Sequence, residues 1–195
     1  MFNAQQTEKI SEINARYMEA LPGYGPFVLG VGSACARLML VGEAPGAHEV
    51  EQGRPFVGAA GKNLDAFLAS MRISRDSIYI TNAVKIRPTK TSEKGRLSNR
   101  PPTAREARLF HGWLKEEIHA VSPRVIATLG NVALTSVTGQ RLFIGDTHGK
   151  PLSLEKMIVF PLYHPAAIIY RRELADVYAA DVERLREYYE GLLST

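Results

Sequence analysis

The stretch RLMLVGEAPG, from Arg37 to Gly46, opens on a nearly unbroken apolar run and breaks at once into Gly42-Glu43-Ala44-Pro45-Gly46. A short continuous run of this kind reads as a strand buried on both faces, the signature of a parallel sheet covered by helices. Three more runs repeat it: SIYITNAV (Ser77 to Val84), RVIATL (Arg124 to Leu129) and KMIVFPLY (Lys156 to Tyr163). Helical patterns lie between and around them. One covers roughly residues 4–20 and is broken by PGYGP. A second carries Leu64, Phe67, Leu68 and Met71. A third, capped by Thr103, carries Ala107, Phe110, Leu114, Ile118 and Val121. A short helix follows Gly130 and ends near Gly139. The last carries Leu174, Tyr178, Val182, Leu185, Tyr189 and Leu192. Alternating strands and helices predict an α/β domain with a mainly parallel sheet. With 195 residues and no internal repeat, the chain is expected to form a single domain, residues 1–195.

Composition narrows the class. The chain is 45% hydrophobic and 23% charged, which fits a folded protein rather than a disordered one. A single Cys excludes an intramolecular disulfide framework and any metal or iron–sulfur site built from several thiolates. No HxxxH or HExxH spacing occurs, so no metal and no cofactor are expected. No apolar run reaches the length of a membrane span, and the N-terminus lacks a signal-peptide pattern, so a cytoplasmic setting is expected. The net charge of +4 is concentrated: residues 84–108 hold eight basic side chains and two acidic ones. That stretch has three prolines and reads as irregular. It is either a solvated loop or a phosphate-contacting surface.

In open parallel sheets, ligands bind outside the carboxyl ends of the strands. Three polar features leave those ends here. The first strand runs into the Gly42–Gly61 segment, 20 residues with five glycines, of which roughly 17 are non-periodic chain between strand and helix; loops of that length in compact domains are commonly functional. Its glycines match neither GxGxxG nor a P-loop. Phe56 within it either anchors the loop in the core or offers a platform on which a planar ring stacks. The second strand delivers Asn82. It is either structural or a base reader, since an amide places one acceptor beside one donor and matches the N3–H and O4 of uracil. The fourth delivers His164 before Pro165, where an imidazole N–H can meet developing negative charge. Arg171 and Arg172 follow an apolar IIY, which suits either a helix start or a wedge flanked by phosphate-binding arginines.

Taken together, LMLVGEAPG (Leu38 to Gly46), EQGRPFVGAAG (Glu51 to Gly61), YITNAVKIRP (Tyr79 to Pro88) and YHPAAIIYRR (Tyr163 to Arg172) resemble the uracil-DNA glycosylase superfamily, and its family four most. NRPPTAREA and PRVIATLG agree more weakly. The resemblance implies a three-layer α/β/α sandwich around a four-stranded parallel sheet. It also implies a monofunctional DNA repair enzyme that removes uracil from flipped or single-stranded substrate. Gly42, Glu43, Ala44 and Gly46 would line the sugar and the glycosidic bond. Phe56 would stack on uracil, Asn82 would read its edge, and His164 would bond O2. Lys85, Arg87, Arg100, Arg171 and Arg172 are the expected DNA contacts. DNA is the expected partner, with no membrane, and the protein is expected to be a monomer. A glycosylase for hypoxanthine or xanthine and a non-catalytic DNA-binding relative are the alternatives.

Two departures stand out. Family four resembles a chain with four Cys ligands for a [4Fe–4S] cluster, but two of those positions are Ile86 and Phe110 here, the N-terminal CxxC is absent, and Cys35 lies too near the first strand to serve. Ile86 and Phe110, with Tyr17 or Met18, are expected to form an apolar plug instead. Ala44 stands where the best-known relatives carry a water-activating Asp. Either Glu43 or Glu49 orients the water, or the reaction is largely dissociative, which is the reading favoured here. With only Gly46 in place, Glu49 is also the expected means of excluding a 5-methyl group.

Overall fold

The computed structural model describes residues 2–193, apart from the side chains of Phe2, Asn3, Ile169, Tyr170 and Leu193. Four strands form the parallel centre: β2 (Leu38–Gly42), β3 (Tyr79–Asn82), β6 (Val125–Leu129) and β8 (Met157–Leu162). These are the four apolar runs. Two short edge strands, β1 (Val31–Gly32) and β7 (Leu152–Leu154), pair antiparallel and widen the sheet to six in the order β1-β3-β2-β6-β8-β7. At two and three residues, neither edge strand carries a readable alternation.

Alternate side chains of the central strands feed two cores. Met39, Val41, Tyr79 and Ile126 face α1 (Phe2–Ala20) and α4 (Ala104–Val121), meeting Ile13, Phe110, Trp113 and Leu114. Leu38, Leu40, Ile80 and Ala127 face the other way, toward α3 (Ala59–Ser70) and α8 (Ala175–Leu193), where Leu64, Phe67, Val182 and Leu185 lie. Since strand side chains alternate in direction, a strand buried at every position requires a helical layer on each face. Helix α4 starts where Thr103 predicts: its hydroxyl accepts from the Glu106 N–H, and the Glu106 carboxylate accepts from the Thr103 N–H.

The expected plug is present, with Tyr17 as its third member. Phe110 is fully buried against Phe27 and Trp113, and Ile86 packs against the same core. Tyr17 stacks on Trp113 at 5.2 Å between ring centroids. Met18 is 41% exposed and takes no part. With Ile86 and Phe110 committed to an apolar core and one Cys in the chain, these residues do not fit an iron–sulfur cluster. Among the described residues no group of three His, Cys, Asp or Glu side chains could hold a metal ion, and no helix is long and apolar enough to cross a membrane.

The basic stretch is not irregular throughout. Thr89–Thr91 (β4) and Leu97–Asn99 (β5) form an antiparallel hairpin outside the main sheet. Two of its expected DNA contacts are corrected. Lys85 is completely buried: its ammonium lies 2.5 Å from Glu117 in the core beneath β3, because the chain turns inward there and the cation can be buried only with a partner. Arg100 spends its charge internally, gripping Glu106 through two N–H bonds of 2.7 Å.

Candidate active site

The sheet order reverses between β2 and β6, and a cavity of about 410 Å³ opens at the carboxyl edge nearby. It collects most of the residues singled out from the sequence: Ala44, Gly46, Glu49, Phe56, Asn82 and His164. Glu43 leaves β2 next to it, and burial raises its carboxyl above the usual range. No hydrogen bond satisfies that carboxylate among the described residues. Lys85, Arg87, Arg100, Arg171 and Arg172 are not in the wall. Arg171 pairs with Glu173 at 3.1 Å, and both it and Arg172 are exposed on the far side of the short helix α7 (Pro165–Tyr170) from His164 in sequence. Of the expected apolar wedge, the side chains of Ile169 and Tyr170 lie outside the described residues.

Asn82 ends β3 opposite Gly42. Bonds from Ala83 N–H to the Gly42 carbonyl and from Val84 N–H to the Glu43 carbonyl continue the ladder beyond it, so its backbone is fixed on both sides. Asn82 is 3% exposed as a residue, and its amide, which lines the cavity, makes no side-chain hydrogen bond among the described residues. An amide that opens onto a cavity with neither its oxygen nor its NH₂ engaged by the protein has both groups available to a ligand. Gly42 is required at this point. A Cβ there would lie 2.3 Å from the Asn82 Oδ1 and 2.5 Å from the Phe56 ring.

Phe56 sits in the left-handed region, φ 54°, unusual for a bulky side chain and a mark of stored strain. The cause is legible in its neighbours. The Arg75 guanidinium donates to the Pro55 and Phe56 carbonyls at 2.7 and 2.9 Å and pairs with Asp65 at 2.8 Å. Sequence reading missed Arg75, which lies nineteen positions from Phe56 and belongs to no motif. The Phe56 ring lies nearly parallel to His164, with centroids 5.9 Å apart.

His164 caps α7. Its Nδ1 accepts the Ala166 N–H at 3.1 Å, which leaves the proton on Nε2. Burial pulls its pKa down to about 4, with the Glu49 carboxylate opposing more weakly. The ring is therefore a neutral donor at physiological pH.

Glu49 lies in the cavity wall, as expected of a site residue, with its carboxylate engaged by the backbone. Its carboxylate accepts N–H bonds from Gly46 (3.0 Å), Val57 (3.2 Å) and Gly58 (2.9 Å). Gly46 and Gly58 are the N-caps of α2 (Ala47–Gln52) and α3, and neither has a side chain to cap with. One carboxylate thus serves two helix starts and ties both ends of the long loop together. Asn99 is a second residue missed. It lines the cavity from the hairpin, its Oδ1 held by the Arg87 Nε–H at 2.7 Å. Arg87 is thereby placed at the rim, as an orienting group.

The sequence profile of the Uracil DNA glycosylase superfamily matches residues 29–191. The chain belongs to the uracil-DNA glycosylase superfamily. It is 37% identical over 169 residues to the type-4 uracil-DNA glycosylase of Archaeoglobus fulgidus, covering 83% of this chain and 81% of that one. The type-4 uracil-DNA glycosylase of Thermotoga maritima is 35% identical over 83% of this chain and 82% of its own. A solved structure, wild-type Pedobacter heparinus SMUG2, superposes with a TM-score of 0.58 over 82% of this chain and 77% of that chain. At 12% identity it supports the fold alone. The superfamily fold accounts for the parallel centre and the carboxyl-edge cavity.

Proposed function

We propose that the protein is a monofunctional uracil-DNA glycosylase that hydrolyses the N-glycosidic bond of uracil extruded from DNA into the carboxyl-edge cavity. It works as a cytoplasmic monomer without a cofactor. The observation that carries this reading is the unpartnered Asn82 amide in the cavity wall. Its oxygen accepts the uracil N3–H and its NH₂ donates to O4. Cytosine reverses that pattern, and a freely turning amide would satisfy either base. With its Oδ1 on the Gly42 side, next to the Phe56 ring, the amide is placed in the orientation that suits uracil.

Phe56 supplies the stacking surface. His164 donates its Nε2 proton to uracil O2 as the glycosidic electrons move into the base, stabilising the uracil anion. Ala44 offers no carboxylate to the water. The reaction is therefore largely dissociative, with Glu43 as the negative charge beside the oxocarbenium-like sugar. Glu49 acts chiefly by shaping the loop. The cavity wall contains no lysine, so no Schiff base forms and the strand is left uncut at an abasic site.

The test is release of free base from oligonucleotides carrying uracil, hypoxanthine, xanthine or a thymine mismatch. Wild type is expected to release uracil, and Asn82→Ala to lose that release. Release of only another base would move the specificity. DNA binding with no release of any base would leave a binding protein.

A second expectation concerns Arg75. Arg75→Ala frees the Phe56 carbonyl and relaxes the strained platform, and a drop of about tenfold in kcat/KM is expected, equal to about 1.4 kcal/mol. Arg75→Lys recovers little, because an ammonium cannot reproduce the guanidinium fork. Steady-state kinetics on a uracil-containing single strand measures both.

A further inference from the structure

The β4–β5 hairpin has a fixed base and a free tip. At the base, Arg100 donates to the Thr89 carbonyl at 2.9 Å while holding Glu106, and Arg87 holds Asn99. At the tip, the chain turns through Gly95, at φ 74°. The side chains of Lys90, Lys94 and Arg96 make no ion pair or hydrogen bond among the described residues. Strand periodicity sorts the rest. Leu97 and Asn99 share one face with their cross-strand partners Thr91 and Thr89, while Lys90, Arg96 and Ser98 share the other.

Asn99 lines the cavity, so its face is the one turned toward the cavity mouth. Leu97 stands two residues further out on that face, about 7 Å along the strand. It is 57% exposed. A lone exposed leucine is ordinary on a protein surface. This one projects from a basic ribbon at the rim of the site, at a distance of about two base steps.

We propose that this hairpin is a DNA-docking arm: Leu97 packs onto the bases beside the extruded nucleotide, while Lys94 at the tip and Arg96 on the opposite face of the ribbon hold phosphates of the flanking duplex on either side of it. The inference rests on the glycosylase reading and adds to it an element outside the cavity. Extruding a base leaves a gap in the stack that an apolar side chain can fill. A single strand has no such gap to hold open, so the contribution of Leu97 is specific to duplex.

The experiment compares Leu97→Ala with wild type on a uracil·guanine duplex and on the same uracil strand alone. A fall in kcat/KM of about tenfold on duplex, with the single strand within twofold, is expected. Leu97→Met should restore most of the duplex rate. Equal loss on both substrates, or no loss on either, overturns the assignment. The second arm measures Kd for a duplex carrying non-hydrolysable 2′-fluorodeoxyuridine across a salt series. Lys94→Ala/Arg96→Ala should lower the slope of log Kd against log salt by about 2, and an unchanged slope overturns the phosphate contacts. This arm needs no turnover. A wild type that released no uracil would sink the glycosylase reading while the salt slope still decided the fate of the arm.

Discussion

Replacing His164 by alanine is expected to slow uracil release by a factor of about 10²–10³, the usual consequence of removing a preorganised donor from a developing oxyanion. The loss should fall on kcat, with KM changing little, because the bond strengthens as charge accumulates on O2. The pH profile separates this role from that of a cationic histidine. With its pKa held near 4 by burial, His164 is neutral throughout the physiological range, so the rate should show no inflection near 6.5 and fall only as the pH drops toward 4. A rate that declined above pH 6.5 would mean that the imidazolium is the working form. The same shift has a stability sign. A native pKa below the unfolded value of 6.5 means that the unfolded chain binds the proton more readily. The contribution is fully present above pH 6.5 and is lost as the pH falls through 4. His164→Ala should therefore soften the acid limb of the unfolding curve.

Removing Glu117 is expected to have the largest effect on stability, about 3–5 kcal/mol, because it strands a cation in the core. Glu117 is wholly buried and accepts from the Tyr79 hydroxyl at 2.7 Å, the Thr81 hydroxyl at 3.0 Å and the Lys85 ammonium at 2.5 Å. Gly30 closes over the group, with room for no Cβ beside the Tyr79 and Glu117 oxygens. Burial lowers the pKa of Lys85, and Glu117 raises it in compensation. In Glu117→Ala only the lowering remains. The variant should then gain stability as the pH rises toward the ordinary lysine range, because its native state sheds a proton that the unfolded chain still holds. Lys85→Met/Glu117→Leu, which removes both charges, should recover most of the loss. Urea midpoints at several pH values measure all three outcomes. A Glu117→Ala midpoint equal to that of wild type would show that the pair does not hold the core.

The central strands were legible because three of them are apolar at nearly every position and the fourth, Tyr79–Asn82, continues an apolar and β-branched run. The edge strands, at two and three residues, carry too little sequence to show a period. Asn82 and His164 could be found because a polar side chain at the carboxyl end of a buried strand is conspicuous. Lys85 was misread because a lysine within a basic run is ordinarily solvated. Its burial depends on Glu117, thirty-two positions away and on another element. Glu49 could be placed near the site but its bonds could not. They go to backbone N–H groups, and every residue but proline has one, so the sequence carries no mark of which are chosen. Arg75 and Asn99 act through carbonyls and an amide brought near by folding, and were invisible for the same reason.

The point at Gly42 where the Asn82 amide and the Phe56 ring meet has a bearing on how the specificity of this enzyme can change. In the proposed function the two groups read different properties of the base, its edge and its face, but both lie against Gly42. A substitution that shifts one must displace the other, so their effects should not add. Variants with altered base preference should therefore arise as compensated pairs, or with a change at Gly42 itself, and single-site libraries should recover mostly inactive chains. The steric economy that steadies the amide also narrows the mutational routes by which the pocket can acquire a new substrate.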